Sequence, residues 1–149
     1  MKIISAFILS LICIQLYACK ADKIIDSNNI SKTDMKLKIK IGTNAFTATF
    51  YDNATATAFK ARLPMTINMI ELNGNEKYFE LSISLPTNAS NPKTIQTGDL
   101  MMYGSNTLVL FYKSFSTSYR YTRLARIDNP SGLTAALGSG SVTVIFEAE

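Results

Sequence analysis

Short segments in which hydrophobic and polar residues alternate recur along the chain, and this two-residue period is typical of β-strands with one buried face. In residues 36–41 lysine alternates with leucine or isoleucine, and in residues 45–51 phenylalanine and alanine share one face. Residues 42–44 read Gly-Thr-Asn, and these residue types favour a turn. The pattern therefore predicts an antiparallel hairpin near the start of the domain.

A second hairpin is predicted in residues 98–112, and we expect the rest of the domain to be arranged around it. Two apolar runs, Leu100–Tyr103 and Leu108–Tyr112, flank a Gly-Ser-Asn turn. The second run is apolar on both of its faces. It is therefore predicted to be covered by protein on both sides.

Two short helices and four further strands complete the predicted elements. Residues 54–63 are rich in alanine, follow Asn53 as a capping residue and end at Pro64, and residues 132–137 follow Ser131 as a second cap. The four strands are predicted at residues 65–70, 78–85, 119–128 and 142–147. About eight strands joined by hairpins predict a mainly β fold, a closed barrel whose ends the two short helices cover.

The first 18 residues have the layout of a secretory signal peptide. A lysine follows the initial methionine, and residues 3–14 are apolar with only two serines as polar breaks. The segment Leu16-Tyr17-Ala18-Cys19 resembles the bacterial lipobox, in which the cysteine is lipidated and becomes the new N-terminus. Two alternatives stay open: ordinary cleavage that leaves Cys19 unmodified, and an uncleaved apolar anchor.

Lipidation of Cys19 implies a lipid-anchored membrane lipoprotein of the bacterial cell envelope. Residues 19–34 are polar and show no clear period, so they are predicted to form a flexible tether between the lipid and the domain. Residues 35–149 are predicted to form the barrel domain, and the lipid anchor makes the membrane one expected partner.

Composition excludes several kinds of chemistry. The chain has no histidine, which removes the commonest general base, the usual nucleophile–base pairs and imidazole metal ligands. Of its two cysteines, Cys13 would leave with the signal peptide and Cys19 would carry the lipid. The formal net charge of +4 is only mildly basic and export is expected, so we predict no nucleic-acid partner. With no histidine and no cysteine left over, we also predict no metal site, and we predict no cofactor.

Three segments carry a resemblance to a known family. Thr55–Pro64 resembles a first helix with a Thr/Ala-rich start, Thr94–Leu100 resembles the segment Ile-Gln-Gly-Gly-Asp-Phe, and Leu124–Leu137 resembles a Gly-Arg-Val sequence followed by a Gly-led helix. All three segments occur in this order in cyclophilin-like barrels. The chain from about residue 35 onward is more similar to the small bacterial cyclophilin-like proteins than to the true prolyl isomerases.

The resemblance also shows what is missing for prolyl isomerisation. In cyclophilins an arginine about eight residues before the glutamine of the Ile-Gln segment stabilises the twisted amide through a charge-assisted hydrogen bond. In this chain Asn88 stands at that distance from Gln96, and no arginine occurs between Arg62 and Arg120. The resemblance implies Gln96 as a candidate polar contact and Phe111 as a candidate pocket wall. For both residues the alternative is packing and hydrogen bonding within the barrel.

A second group of candidate binding residues comes from the residues themselves. Tyr119, Tyr121 and Arg123 would share one face of the strand predicted there. Aromatic rings interleaved with a cation can bind a peptide or a glycan by stacking and charge. The alternative is that these amphipathic side chains simply cover the sheet.

These observations predict a lipid-anchored, extracytoplasmic cyclophilin-like module that binds a small ligand or an extended peptide and is not an enzyme. One alternative is a divergent peptidyl-prolyl cis-trans isomerase that uses Arg62, Arg120 or Arg123. Another is a structural lipoprotein that contacts other envelope proteins.

Overall fold

The computed structural model describes residues 35–149 and contains ten strands and two helices in that range. They are β1 (Lys36–Ile41), β2 (Asn44–Phe50), α1 (Ala54–Lys60), β3 (Met65–Leu72), β4 (Glu76–Glu80), β5 (Thr94–Ile95), β6 (Asp99–Tyr103), β7 (Thr107–Phe111), β8 (Phe115–Ser116), β9 (Thr122–Ile127), α2 (Leu133–Leu137) and β10 (Val142–Ala148). The predicted signal peptide, the tether and Cys19 lie outside the described residues.

Eight of the strands close into an antiparallel barrel in the order β1-β10-β3-β4-β7-β6-β9-β2. The two predicted hairpins are present as β1–β2 and β6–β7, with Ile39 opposite Phe46 in the first and Met102 opposite Leu108 in the second. The remaining strands, β5 and β8, pair with each other in a separate two-stranded sheet. The prediction of a mainly β, closed eight-stranded barrel with two short helices is confirmed.

Two predicted strands are shorter than expected, and a physical reason is visible for each. β4 ends at Glu80 because the following segment crosses the β6–β7 turn, where the Leu81 N–H donates to the Asn106 carbonyl and the Leu85 N–H donates to the Ser105 carbonyl. β9 begins only at Thr122. The two residues before Tyr121 lie in a loop, because the Tyr121 backbone pairs with Ser90 in an isolated bridge instead of extending β9 along the barrel.

Helix α1 is stabilised by a side-chain cap at its N-terminus and by a buried aromatic residue on its inner face. The Asn53 side chain accepts a hydrogen bond from the Ala56 N–H at 2.9 Å and donates one to the Arg123 carbonyl at 2.9 Å. Phe59 is fully buried, with its ring centroid 6.4 Å from that of Phe50 and 5.8 Å from that of Phe146. The cap predicted for α2 was wrong, because Gly132 at φ 82° occupies the N-cap position and the Ser131 side chain makes no capping bond.

Strand β7 separates two hydrophobic clusters. Leu108 and Leu110 belong to the cluster that fills the barrel, whereas Val109 and Phe111 belong to a smaller outer cluster. All four side chains are buried. The prediction that this run is covered on both sides is therefore confirmed.

Gly98 makes the close approach at the start of β6 possible. Its φ is 91°, and a Cβ at this position would lie 3.1 Å from the Ile127 Cβ and 3.2 Å from the Pro130 Cβ. The Gly98 N–H donates to the Phe111 carbonyl, and its own carbonyl accepts from the Ile127 N–H. The glycine thus links the start of β6 to both of its neighbouring strands, β7 and β9.

Within residues 35–149, neither helix has the length and apolar character that crossing a membrane requires.

Candidate functional site

The outer cluster lies on the barrel surface formed by β4, β7 and β6. Its buried members are Ile95, Met101, Val109, Phe111 and Tyr121, with Tyr78 and Phe115 packed against them. Register places Tyr78, Val109 and Met101 side by side across three neighbouring strands. Strands β5 and β8 supply Ile95 and Phe115, so the small sheet lies over this part of the barrel.

A groove of about 350 Å³ opens beside the outer cluster, and we call it the tyrosine groove. Its position follows from alternation along β4, because residues two apart on a strand face the same side. It is lined by Leu72, Asn73, Glu76, Tyr78, Glu80, Tyr103, Thr107, Val109, Tyr119 and Tyr121. Aromatic rings and carboxylates thus meet in one open depression.

The rings of the tyrosine groove are ordered from the buried cluster out to solvent. Phe111 is fully buried, and its ring centroid lies 5.4 Å from that of Tyr121 at an interplanar angle of 90°. Tyr121 lies 5.7 Å from Tyr103, which lies 6.1 Å from Tyr119 in an edge-to-face contact. Tyr103 and Tyr119 are 47% and 62% exposed. A buried aromatic base therefore holds two rings in positions where a ligand can reach them.

Two carboxylates give the tyrosine groove its charge. Glu76 and Glu80 lie on the same face of β4 as Tyr78, and all three line the groove. Burial and the negative charge of Glu71 raise the pKa of Glu76 above its ordinary value. Burial is also the main cause that raises the pKa of Tyr121 to about 12, so this phenol is neutral and protonated at physiological pH.

The residues predicted from the sequence are distributed over several places. Tyr119 and Tyr121 line the tyrosine groove, and Phe111 lies beneath it between the rings of Tyr121 and Phe115. The Gln96 N–H donates to the Asp99 Oδ2 at 2.8 Å, and the Gln96 carbonyl accepts from the Asp99 N–H at 3.0 Å, so its backbone forms the turn before β6. A binding role for each of these residues stays a prediction.

Arg123 is not part of the tyrosine groove. Its Nη1 donates to the Tyr51 hydroxyl at 3.1 Å, and the guanidinium carbon lies 5.6 Å from the Tyr51 ring centroid. The strand segment that would align it with Tyr119 is a loop, and a register shift between β6 and β9 follows Arg123. The three residues therefore do not share one strand face: Tyr119 and Tyr121 line the groove, and Arg123 lies apart from them.

The other guanidinium groups also have contacts elsewhere. Arg62 donates to the Ala58 carbonyl, Arg120 donates to the Ala89 carbonyl, and the Arg126 Nε lies 3.8 Å from the Asp99 Oδ1. With Arg123, these are all four arginines of the chain. None of the four is among the residues that line the tyrosine groove.

Several groove residues were missed by sequence reasoning: Glu76, Tyr78, Glu80 and Tyr103. In the Glu-Lys-Tyr-Phe-Glu sequence of β4, the two-residue period of a strand puts Glu76, Tyr78 and Glu80 on one face. This pattern could have identified these three residues as one surface. Among residues 35–149, no group of three or more acidic or cysteine side chains is placed to hold a metal ion.

A second polar cluster lies inside the barrel, on the opposite face of β4. Lys77 is fully buried, and its Nζ donates to Glu71 Oε2, to the Gly138 carbonyl at 2.9 Å and to the Gly140 carbonyl at 2.6 Å. The Tyr112 hydroxyl donates to the other Glu71 oxygen at 2.8 Å. This lysine cluster ties β3 and β4 to the segment between α2 and β10.

The lysine cluster lowers the pKa of Glu71 and raises that of Tyr112. Burial opposes ionisation of Glu71, but hydrogen bonds from Lys77, Tyr112 and the Gly74 N–H outweigh it and lower the pKa of Glu71. Burial, followed by the hydrogen bond to Glu71 and its charge, raises the pKa of Tyr112 to about 12.

Alkaline titration tests the Tyr112 environment. Its folded-state pKa of about 12 exceeds the ordinary value of 10.0, so its stabilising effect is complete below pH 10 and is lost as the pH rises toward 12. Tyr112→Phe should remove one phenol from the late step of the tyrosinate absorbance titration. It should also make the fall in unfolding free energy over this pH range less steep. Tyr121→Phe, which removes a second phenol whose pKa is raised to about 12, provides a comparison, and an unchanged late step in Tyr112→Phe would contradict the assignment.

Comparison with known proteins agrees with this architecture. A family model described as the cyclophilin-like family matches residues 39–147. The solution structure of the hypothetical protein AF2241 from Archaeoglobus fulgidus is similar with a TM-score of 0.59 and 19% sequence identity, over 80% of this chain and 98% of that chain. At this identity the likeness concerns the fold alone. No curated protein matches the chain.

Proposed function

The chain belongs to the cyclophilin-like family, and from this premise we propose that it is a lipid-anchored, extracytoplasmic module that binds a small ligand or an extended peptide in the tyrosine groove. The binding is proposed to occur without catalysis. The family fold supplies the barrel, and the groove on its surface supplies the proposed binding residues.

The observation that carries the proposal is the exposure of two tyrosine rings above a buried aromatic base. Tyr119 is 62% exposed and Tyr103 is 47% exposed, yet both rings are in contact within the groove. Tyrosine is enriched at binding sites because its rigid ring buries a large area while the hydroxyl still forms hydrogen bonds. Rings already in position lose little conformational entropy when a ligand arrives.

The guanidinium positions support binding rather than prolyl isomerisation. Isomerisation in cyclophilins depends on an arginine aimed at the twisted amide. Here the arginines are engaged with Ala58, Ala89, Tyr51 and Asp99. Loss of proline-peptide turnover on changing Arg62, Arg120 or Arg123 in a protease-coupled assay would favour the isomerase alternative instead.

The proposed location rests on the segment that ends at Cys19, which resembles a lipobox. Incorporation of labelled fatty acid that is lost in Cys19→Ser would support the anchor. Equal labelling of the two proteins would contradict it.

Binding is tested with purified full-length protein and a panel of peptides, glycans and small molecules, followed by thermal shift. For any ligand that raises the melting temperature, Tyr119→Ala should weaken affinity about tenfold, as expected for an exposed aromatic anchor. Tyr51→Ala is the control, because Tyr51 does not line the groove. No shift with any compound, or equal losses in both variants, would contradict the proposal.

A further inference from the structure

We propose that the ligand of the tyrosine groove is an extended peptide that carries arginine or lysine. This inference rests on the proposed function of the groove and adds the chemical class of its ligand. It is carried by the charge, the ring arrangement and the strand geometry of the lining residues.

The negative charge of the groove favours a cationic ligand. Glu76 and Glu80 both line the groove, and none of the described lining residues is a lysine or an arginine. The chain as a whole has a net charge of +4, so this acidic groove differs in sign from the rest of the protein. A carboxylate attracts an ammonium or a guanidinium group and disfavours an anionic ligand.

The tyrosine rings also favour a ligand that carries a cationic group. Tyr78 lies between the two glutamates along β4, and Tyr103 and Tyr119 stand at the open side. A guanidinium group can stack on an aromatic face while its N–H groups donate to a carboxylate. Aromatic faces and carboxylates within one groove can satisfy both requirements of that group.

Strand geometry favours an extended chain over a compact molecule. Glu76 and Glu80 are four residues apart on β4, which places their Cα atoms about 13 Å from each other. A peptide in an extended conformation presents side chains at positions i and i+4 with the same spacing.

Leu72 lines the groove, and exposed apolar surface extends from it along β3, which lies beside β4. Ile70 and Leu72 on β3 are 44% and 39% exposed, and they pair in register with Tyr78 and Glu76. Such a strip can contact further residues of a peptide that runs along the strands.

The test uses full-length protein and a Gly/Ser peptide with two arginines at positions i and i+4, titrated by calorimetry. The matched peptide carries citrulline at both positions, which keeps the shape of arginine and removes its charge. We expect the citrulline peptide to bind at least about tenfold more weakly. We also expect Glu80→Gln to weaken binding of the arginine peptide about threefold to fivefold, as for a partly exposed ion pair. Glu149→Gln, which removes the same charge outside the groove, should leave binding unchanged.

The outcomes separate the two proposals. Equal binding of both peptides, with sensitivity to Tyr119→Ala, would overturn the cation inference and leave the groove as a binding site. Binding of spermidine but not of the arginine peptide would overturn the choice of a peptide. If neither peptide nor any other ligand responds to changes in the groove, both the inference and the proposed function are wrong.

Discussion

Replacing Phe111 with alanine is expected to lower the free energy of unfolding by about 3–5 kcal/mol, the usual cost of removing a buried aromatic ring. Phe111 is fully buried between Phe115 and Tyr121, at centroid distances of 5.8 and 5.4 Å. Its loss leaves a cavity under the tyrosine groove that these neighbours can fill only in part. Urea denaturation of the purified protein measures the change.

The control for this experiment is Phe115→Ala. Phe115 is partly exposed and packs at the edge of the same cluster, so its loss should cost only about 1–2 kcal/mol. If Phe111→Ala instead cost less than about 1 kcal/mol and mainly abolished ligand binding, the ring would be a pocket wall rather than a packing residue. The experiment thus separates the two interpretations that the sequence left open for Phe111.

Replacing Lys77 with methionine is expected to lower the free energy of unfolding by about 3 kcal/mol, near the lower end of the cost of breaking a buried ion pair. The methionine would leave Glu71 without its cation and the carbonyls of Gly138 and Gly140 without their donor. The Glu71 side chain is 24% exposed, so water can solvate part of its unpaired charge and limit the decrease in the free energy of unfolding.

Two comparisons isolate the role of the buried charge. Lys38→Met, on the outer face of β1, makes the same change at a half-buried position and should cost no more than about 0.5 kcal/mol. In a Glu71→Gln background, Lys77→Met should cost less than in the natural chain, because no carboxylate is then left unpaired. Equal costs in both backgrounds would show that the pairing with Glu71 contributes nothing and that the loss comes from packing and from the Gly138 and Gly140 carbonyls left without a donor.

The fold was predictable where one face of a strand is buried and the other is solvated. Alternating lysines in residues 36–41 placed β1 correctly, and the doubly apolar run placed β7 between two clusters. The truncated ends of β4 and β9 were not predictable. They depend on loops that pair with distant backbone, such as the Leu81 N–H with the Asn106 carbonyl.

The tyrosine groove was only partly predictable, since barrel closure assembles it from separate segments. Tyr119 and Tyr121 were predicted as candidate binding residues, but nothing in their neighbourhood along the chain indicates that Tyr103 and Glu80 will lie beside them. The strand order β4-β7-β6 creates that proximity. Conversely, Arg123 is close to the tyrosines in sequence and contacts Tyr51 instead.

Closure of the barrel also decides how a peptide can be held. Each of the eight barrel strands is already paired on both sides, so a peptide on the barrel face cannot lengthen the sheet by β-augmentation. Main-chain hydrogen bonds of that kind would stabilise the binding of almost any extended peptide, whatever its sequence. Without pairing to a barrel strand, affinity must come mainly from contacts with the side chains that line the groove, so tight binding and sequence selectivity are expected to evolve together.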